Sequence, residues 1–399
     1  MIDFDINGVV LSVNSKTLGD VGKIKVLGKA LNDWVGAAIG APYMCATASQ
    51  VVNAVEGLRN AVDRAKRITV VLYSDTPLVS EKTVSEAVKS LKENKLNAVK
   101  LPRGFVFRTD YLFEIDSLFL QPEIADREFD TVTDSESLSR ITDILRKRIL
   151  RYHAQNGVLI SDFSNTFIDC DVVIERGVTV EPYNFIKGKS LIKSGAHIMP
   201  GNYIENCIIG ENAKIDSSRL YSSSVGASTT VGPYAYIRPD TVVGCNCRIG
   251  DFVELKSSII GDGCKVSHLT YIGDAELGKD CNIGCGVVFA NYDGKEKYRS
   301  VVGERVFVGS NANIVAPVNI ADRAFIAAGS TITKNVSSQA LAIARARQMQ
   351  IPNWHGNAYA PPSVDNSIIT APKKFNLVQF SDGIIDASAT DKNDDGQDQ

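Results

Sequence analysis

Two cations, Arg238 and Lys256, stand eighteen positions apart, and each directly follows an aliphatic residue. The aliphatic residues between them recur at every sixth position, so coils of three hexads would stack the two cations about 5 Å apart on successive coils. Like charges stacked in this way destabilise a sheet unless an anion fits between them. The pattern therefore indicates either a site for an anionic group or two solvated surface cations whose side chains splay apart.

His268 is one of four histidines in the chain, and it lies two residues past Val266, a member of the same six-residue series. This position predicts a side chain on the outside or at a corner of a coil. An imidazole there could take a proton from an amine or a hydroxyl while Glu254 accepts the other ring proton, and the alternative is an ordinary surface histidine. A metal site of three histidines is not expected, because residues 161–336 hold only His197 and His268.

The six-residue series predicts the scaffold for these side chains. A period of six fits neither an α-helix nor a simple strand, and it is typical of a parallel β-helix whose short strands and sharp turns form triangular coils. Residues 161–336 accordingly predict about nine coils. The 27 expected inward residues are Ile168, Ile174, Val180, Ile186, Ile192, Ile198, Ile204, Ile209, Ile215, Val225, Val231, Ile237, Val243, Ile249, Leu255, Ile260, Val266, Ile272, Leu277, Ile283, Phe289, Val302, Val308, Ile314, Ile320, Ile326 and Ile332.

The series is interrupted between Phe289 and Val302 by the polar stretch ANYDGKEKYRSVVG (290–303). Such a stretch predicts a loop that stands off the coils, and loops on a rigid scaffold often complete a site. The alternative is a tolerated surface insertion.

Composition excludes several classes of protein. A net charge of −3, with 44% hydrophobic and 22% charged residues, gives no basic stripe for nucleic acid, and no apolar run approaches the roughly 18 residues of a membrane span. The N-terminal MIDFDINGVV lacks the basic start of a signal peptide, which favours a cytoplasmic protein. Eight cysteines without CxxC pairs argue, in that compartment, against disulfides and a structural zinc site.

The pattern of hydrophobic residues and the composition divide the chain into four segments. The strand pattern ITVVLYSD (68–75) and the helix pattern EKTVSEAVKSLKEN (81–94) predict an α/β domain. The expected boundaries are 1–134 for the α/β domain, 135–160 for a linker helix ended by a glycine, 161–336 for the β-helix, and 337–399 for a C-terminal segment with an acidic, disordered end.

Five stretches carry a resemblance to a known family: YIRPDTVVGCNCRIGDFVELKSS, KVSHLTYIGDAELGKDCNIGCG, NYDGKEK, FVGSNANIVAPV and LAIARARQ. They resemble the C-terminal domain of the bacterial bifunctional N-acetylglucosamine-1-phosphate uridyltransferase/glucosamine-1-phosphate acetyltransferase family over residues 155–348. The resemblance implies a left-handed β-helix, a homotrimer, and acetyl-CoA held between neighbouring subunits. Residues 337–348 resemble the short helix that closes the family's acetyl-CoA site.

By this resemblance, His268 matches the base that takes a proton from the glucosamine amine during attack on the thioester, and Glu254 matches its supporting acid. The implied ligands of glucosamine 1-phosphate are Arg238, Lys256, Tyr271, Asn282 and Lys297. The implied acetyl-CoA contacts are Cys285, Asn291, Tyr292, Ser310, Ala328 and Arg345. Cys285 stands where the family usually has alanine, and we interpret it as a small lining residue and not as a nucleophile.

The N-terminal domain resembles the uridyltransferase half only in part. VVLYSDTPLVSEKTV matches the segment with the metal-binding aspartate, here Asp75, and KVLGKALNDWV matches the helix after the nucleotide loop. The family's glycine-rich loop contains an arginine; here the shorter stretch VVLSVNSKTLGDVG stands in its place and has no arginine. At the second metal position this chain offers Thr133 or Asp134. Magnesium is therefore expected only if this domain is still active; otherwise Asp75 is a strand-end polar residue or a vestigial ligand.

The predicted fold class is α/β plus all-β: a shortened Rossmann-like nucleotidyltransferase domain followed by a left-handed parallel β-helix. The predicted function is transfer of acetyl from acetyl-CoA to glucosamine 1-phosphate, in UDP-N-acetylglucosamine and cell-wall precursor biosynthesis. One alternative is a bifunctional enzyme that also retains UTP-dependent uridyl transfer to N-acetylglucosamine 1-phosphate. Another is a non-catalytic sugar-nucleotide-binding scaffold or sensor, against which the presence of a base argues.

Overall fold

The structure is a computed structural model that describes residues 5–47, 54–115 and 127–352. The acidic tail predicted near the C-terminus lies outside these residues. Among the residues described, no helix has the length and apolar character that a bilayer crossing requires. All eight cysteines fall in the described ranges as free thiols, and four are buried: Cys207, Cys247, Cys264 and Cys281.

The N-terminal part is an α/β unit built on a five-stranded mixed sheet. Its strand order is Tyr43–Thr47, Ile6–Ser12, Ile68–Tyr73, Gly104–Arg108 and Ala98–Leu101. The first three strands are parallel, whereas both pairings of Gly104–Arg108 are antiparallel. Strand Ile6–Ser12 is buried along its whole length, as a parallel strand covered on both faces should be.

Four α-helices occur in the described residues: Leu31–Ala37, Ala54–Ala61, Glu81–Glu93 and Ser135–Gln155. The third begins where the Ser80 hydroxyl oxygen accepts the Thr83 N–H. The fourth, the linker helix, begins with a capping box at Asp134 and ends two residues before Gly157, which has φ +91°.

The linker helix is packed against the N-terminal part. Two short hairpins, Asn14–Ser15 with Gly19–Asp20 and Lys25–Val26 with Lys29–Ala30, precede the first helix. Val21, Leu31 and Leu78 form one buried cluster with Ile141 and Leu145 of the linker helix. This shared core anchors the segment that replaces the expected nucleotide loop.

The β-helix has three parallel sheets, which we call faces 1, 2 and 3, and the chain visits them in that order in each coil. Face 1 contains Leu159–Ile160, Thr179–Val180, His197–Ile198, Lys214–Ile215, Thr230–Val231, Arg248–Asp251, Lys265–His268, Asn282–Ile283, Phe307–Val308, Phe325–Ile326 and Leu341–Ala342. Face 2 contains Phe167–Ile168, Phe185–Lys187, Tyr203–Glu205, Arg219–Tyr221, Tyr236–Ile237, Glu254–Lys256, Tyr271–Gly273, Val288–Ala290, Asn313–Val315 and Thr331–Ile332. Face 3 contains Val173–Ile174, Leu191–Ile192, Ile208–Ile209, Ser223–Val225, Thr241–Val243, Ile259–Ile260, Ala275–Leu277, Ser300–Val302 and Asn319–Ile320.

The predicted inward series forms the core of the β-helix. All 27 residues are buried, and they belong to one continuous hydrophobic cluster. The structure adds Leu220, fully buried midway between Ile215 and Val225, where the sequence series passes over one position. The β-helix has about ten coils instead of nine, because the strands Leu159–Ile160 and Leu341–Ala342 extend it at both ends.

The prediction of a short helix over residues 337–348 is wrong. Leu341–Ala342 forms the last strand of face 1 and pairs with Phe325–Ile326. Nearby, the Thr331 N–H donates to the Ala344 carbonyl at 2.9 Å. The helix propensity of LAIARARQ is overridden because the last coil offers an edge of unpaired backbone groups.

Candidate functional site

Arg238 and Lys256 stack on face 2, as the six-residue spacing predicts. Ile237 and Leu255, the inward residues before them, pair in parallel register on successive coils. The Arg238 N–H donates to the Leu255 carbonyl at 2.8 Å, which fixes the two backbones side by side. Both cationic side chains project outward because strand residues alternate between the two sides of a sheet.

The polar insertion at 290–303 folds into a small hairpin over this surface. Tyr292 and Lys297 form an antiparallel bridge. The Asp293 carboxylate closes the turn by accepting two main-chain N–H groups at 2.7 and 2.8 Å. The stretch is therefore an ordered hairpin that places a third cation, Lys297, beside Lys256.

The three cations form a cluster with an excess of positive charge. Contact with the Lys297 ammonium holds the pKa of Lys256 below its ordinary value, and desolvation and the charge of Arg238 act in the same direction. Asp274 opposes this shift without cancelling it. A doubly charged anion bound among the three side chains would relieve their repulsion and receive charge-assisted hydrogen bonds.

Gly273 allows polar side chains to converge beside the cation cluster. Gly273 is the register partner of Lys256 on the next coil. A Cβ added at Gly273 would lie 2.4 Å from Tyr271 Oη and 2.8 Å from Asn291 Nδ2, closer than real contacts allow. Asn291 is buried and donates from Nδ2 to the Asp274 carboxylate. Any larger residue at 273 would displace Tyr271 and Asn291.

His268 is paired with Asp251, and not with Glu254 as the sequence predicts. Asp251 and His268 are register partners on face 1, with Nδ1 and Oδ1 separated by 2.6 Å. This hydrogen bond is the main cause that lowers the pKa of Asp251. The Glu254 carboxylate lies on face 2 and accepts a hydrogen bond from the Arg238 guanidinium at 2.8 Å. Asp251 and Glu254 lie on different faces because the chain turns a corner between them at Phe252, which has φ +55°.

The expected acetyl-CoA residues line the corner between faces 1 and 2. Following the register of face 1, Cys285, Ser310 and Ala328 lie one above another on three successive coils. His268 holds the same position on the coil before Cys285. Arg345 donates to the Ala328 carbonyl at 3.0 Å, so a cation stands at the end of this column.

The other expected contacts are distributed around the corner. Asn282 takes the outward position before inward Ile283 on face 1. Asn291 and Tyr292 belong to the hairpin, where Asn291 is buried and Tyr292 is 60% exposed. Arg238, Lys256 and Tyr271 are thus gathered on face 2, with Lys297 on the hairpin, whereas Asn282 lies on the neighbouring face.

Asp75 is held by an arginine. It is 2% exposed and lies just past the end of strand Ile68–Tyr73. Arg103 donates from Nε to both carboxylate oxygens at 2.8 and 3.0 Å, and from a terminal nitrogen to one of them at 2.6 Å. Within the described residues no cluster of three or more His, Cys, Asp or Glu residues could hold a metal ion. These residues do not fit Mg²⁺, because the guanidinium already occupies both oxygens.

The other parts of the expected nucleotide site are engaged in structural contacts. Asp134, the candidate second metal ligand, caps the linker helix by accepting the Ser137 N–H at 2.8 Å. The main-chain carbonyl of Thr133 accepts the hydroxyl of Ser15 in the shortened loop. The loop is therefore tied to the N-terminus of the linker helix.

Sequence reasoning missed Asp251, Asp274 and Arg103. Asp251 carried a usable signal, since it lies two residues past an inward aliphatic, the same offset that places His268. Asp274 follows the strand that carries Tyr271, but no spacing indicated its hydrogen bond to the hairpin. Arg103 lies 28 residues from Asp75 on a different loop, and nothing in the local sequence pointed to the pair.

Two families match the β-helix. The family described as GMPPB C-terminal domain matches residues 221–314. The family described as bacterial transferase hexapeptide (six repeats) matches residues 299–334.

Curated relatives extend this similarity. The bifunctional protein GlmU of Clostridium novyi (strain NT) is 50% identical over 227 residues, which are 57% of this chain and 50% of that protein. The same-named protein of Clostridium tetani (strain Massachusetts / E88) is 52% identical over 217 residues, 54% of this chain and 48% of that protein. The chain spans about half the length of these curated relatives.

Among solved structures, the UDP-N-acetylglucosamine acyltransferase of Arabidopsis is similar with a TM-score of 0.33 and 19% identity, over 47% of this chain and 69% of that one. The resemblance predicted from the sequence is confirmed for the C-terminal part of the chain. That part is a left-handed parallel β-helix built on hexapeptide repeats, and it is similar in sequence to the C-terminal part of bifunctional GlmU proteins.

Proposed function

We propose that this protein transfers acetyl from acetyl-CoA to the amine of glucosamine 1-phosphate. The observation that carries the proposal is the Arg238, Lys256 and Lys297 cluster, which lies around the corner from His268 on a β-helix homologous to GlmU. The cluster offers an anion site and the imidazole offers a base. These are the two functions that acylation of an amino-sugar phosphate requires.

In this proposal, the cation cluster binds the phosphate of the acceptor. Three cations on two coils and one hairpin can surround a dianion, and fixed cations orient the sugar as well as bind it. Tyr271 lies over Gly273 next to the cluster, with the buried Asn291 beside it, and supplies a polar contact to the sugar. The amine is then directed toward the corner that carries His268.

The imidazole of His268 acts as general base. Its Nδ1 is engaged by Asp251, so Nε2 is the nitrogen that accepts a proton from the amine. The amine nitrogen attacks the thioester carbonyl carbon, the new N–C bond forms, and the C–S bond breaks. CoA leaves as a thiolate and takes up a proton. A positioned base of this kind contributes about 10²–10⁴-fold to the rate.

We place acetyl-CoA along the column of Cys285, Ser310 and Ala328, with its phosphates toward Arg345. The column runs from the base toward a cation, which suits a ligand with a thioester at one end and phosphates at the other. We further propose a homotrimer whose neighbouring subunit completes this groove. The proposal requires a mass in solution of about 130 kDa, three times the 43.2 kDa chain.

The test is release of CoA by the purified protein with acetyl-CoA and glucosamine 1-phosphate, with the acetylated product identified by mass spectrometry. We expect turnover in the wild type and a loss of two or more orders of magnitude in His268→Ala. His197→Ala is the matched control, since His197 is also on face 1 and also paired with a carboxylate, at 2.5 Å. A folded wild type without turnover would reject this acceptor, and UDP-N-acetylglucosamine binding in that case would favour the scaffold.

We also propose that the N-terminal domain has lost uridyl transfer. The bidentate pair of Asp75 with Arg103 and the contact of Ser15 with Thr133 support this, because they occupy groups that a metal and a triphosphate would need. We expect no pyrophosphate release from UTP and N-acetylglucosamine 1-phosphate in the presence of Mg²⁺. Release that Asp75→Asn abolishes would establish the bifunctional alternative instead.

A further inference from the structure

We propose that Asp251 is the positioning residue of His268, and that Glu254 serves the phosphate site by holding Arg238. This inference rests on the proposed acetyltransfer and divides the work of two neighbouring carboxylates. The two are three residues apart in the chain but lie on different faces of the coil.

The geometry of Asp251 suits orientation of the imidazole. The backbones of Asp251 and His268 are paired in register, so the side chains leave adjacent coils at the same point on face 1. The 2.6 Å contact joins Asp251 Oδ1 to Nδ1, the ring nitrogen nearer the backbone. A carboxylate there selects the tautomer with the proton on Nδ1 and leaves Nε2 as an acceptor. It also stabilises the imidazolium that forms when Nε2 takes the proton of the amine.

Glu254 has a different partner and therefore a different task. Its carboxylate accepts a hydrogen bond from Arg238 at 2.8 Å, and the guanidinium also lies 5.7 Å from the centroid of the Tyr236 ring. Both contacts hold the arginine on face 2 beside Lys256. Removal of the Glu254 charge should loosen Arg238 and weaken phosphate binding, with little effect on the base.

The charged and titratable groups around His268 come from three adjacent strands. Asp251 and Arg248 belong to the preceding coil, Lys265 belongs to the same strand as His268, and Cys285 holds the equivalent position on the following coil. Among these groups Asp251 is the one that carries a negative charge at neutral pH in direct contact with the ring. Loss of that charge should shift the acid side of the pH–rate profile to lower pH, because the imidazolium loses its counter-ion.

The experiment compares Asp251→Asn and Glu254→Gln in the full chain. We expect Asp251→Asn to lower kcat by about 10- to 100-fold and to shift the acid limb to lower pH, with KM for glucosamine 1-phosphate within about 3-fold. We expect Glu254→Gln to raise that KM by about 10-fold, from one weakened charge-assisted contact, and to leave the acid limb in place. Glu181→Gln, which alters another carboxylate–imidazole pair, that of Glu181 with His197 four strands away on face 1, should change neither parameter.

A second measurement does not depend on turnover. Nitrogen-15 NMR of the imidazoles at alkaline pH identifies the protonated ring nitrogen, and only four histidines need to be assigned. We expect the Nδ1–H form for His268 in the wild type and a mixture of both forms in Asp251→Asn. Unchanged tautomer and pH profile in Asp251→Asn, or an acid limb that moves in Glu254→Gln, would overturn the inference. An inactive wild type with the Nδ1–H form would reject the acceptor and leave the assignment of Asp251 standing.

Discussion

The two halves of the chain differ in whether their buried or clustered charges are balanced by charges of opposite sign. In the N-terminal part, the buried Asp75 is matched by the guanidinium of Arg103 through three hydrogen bonds. On the β-helix, Arg238, Lys256 and Lys297 crowd together with too few carboxylates to balance them. A neutralised pair can stay buried without a ligand, and loss of either partner destabilises the fold, whereas an unbalanced cluster is maintained at a cost and is typical of a site that binds an anion. We therefore expect a structural role for the pair of Asp75 with Arg103 and a ligand-binding role for the cation cluster.

The largest expected effect concerns the balanced pair. Arg103→Met should lower the free energy of unfolding of the N-terminal part by about 3–5 kcal/mol, because it leaves the buried Asp75 carboxylate unpaired. The double variant Asp75→Asn/Arg103→Met should recover most of this loss. Urea unfolding followed by tryptophan fluorescence provides the measurement. A cost below about 1 kcal/mol would contradict the structural role and return Asp75 to the candidate ligands.

The next effect tests whether packing on the β-helix supports the cluster. Ile237→Ala removes a fully buried side chain directly before Arg238 and should cost about 2–5 kcal/mol. Ile186→Ala, three coils earlier on face 2, should cost a similar amount. Because coils contact only their neighbours, Ile237→Ala alone should also raise KM for glucosamine 1-phosphate. Equal KM values in the two variants would show that the site is insensitive to the coil beneath it.

A smaller effect tests the unbalanced cluster itself. Lys256→Ala should lower kcat/KM for glucosamine 1-phosphate by about 10- to 100-fold, the equivalent of one or two charge-assisted hydrogen bonds. Its stability should fall little, because removal of one of three like charges relieves repulsion. Lys214→Ala, an outward lysine on face 1, is the control. If both variants behave as the wild type, the cations are solvated surface residues and the contrast between the halves disappears.

The smallest effect is a shift in pH dependence. The pKa of Lys256 is lowered by Lys297, so Lys256 loses its charge at a lower pH than an isolated lysine, and acceptor affinity should fall as pH rises through that value. Lys297→Gln removes the repulsion and raises the pKa of Lys256. The fall in affinity should then move to higher pH, although the affinity at neutral pH is weaker. KM measured from neutral to alkaline pH checks both statements.

The core of the β-helix could be predicted almost completely from the sequence. A buried aliphatic at every sixth position is a long-range signal that survives point variation, and all 27 positions are buried. Leu220 was missed because the series moves there in two steps of five residues, from Ile215 to Leu220 and from Leu220 to Val225, instead of the usual steps of six. The C-terminal helix, which was expected from the family resemblance, is absent because Leu341–Ala342 pairs instead with the open edge of the last coil, and a local match carries no information about that edge.

The site could be predicted only where one spacing rule applied. The offset of one residue past an inward position placed Arg238 and Lys256 correctly on one face. The Glu254 and His268 pairing failed because their offsets differ, and a corner separates the two faces. The contacts of Lys297 and Arg103 depend on loops, whose paths the repeat does not determine.

The column of His268, Cys285, Ser310 and Ala328 has a consequence for the size of the substrate. Each coil advances the chain by about 4.8 Å, so Ala328 lies three steps, about 14 Å, from the base. If the proposed acyl-CoA binds along this column, the distance between its thioester and the contacts farther along the column can change only by whole coils. Gain or loss of one coil would therefore shift those contacts by about 4.8 Å relative to His268.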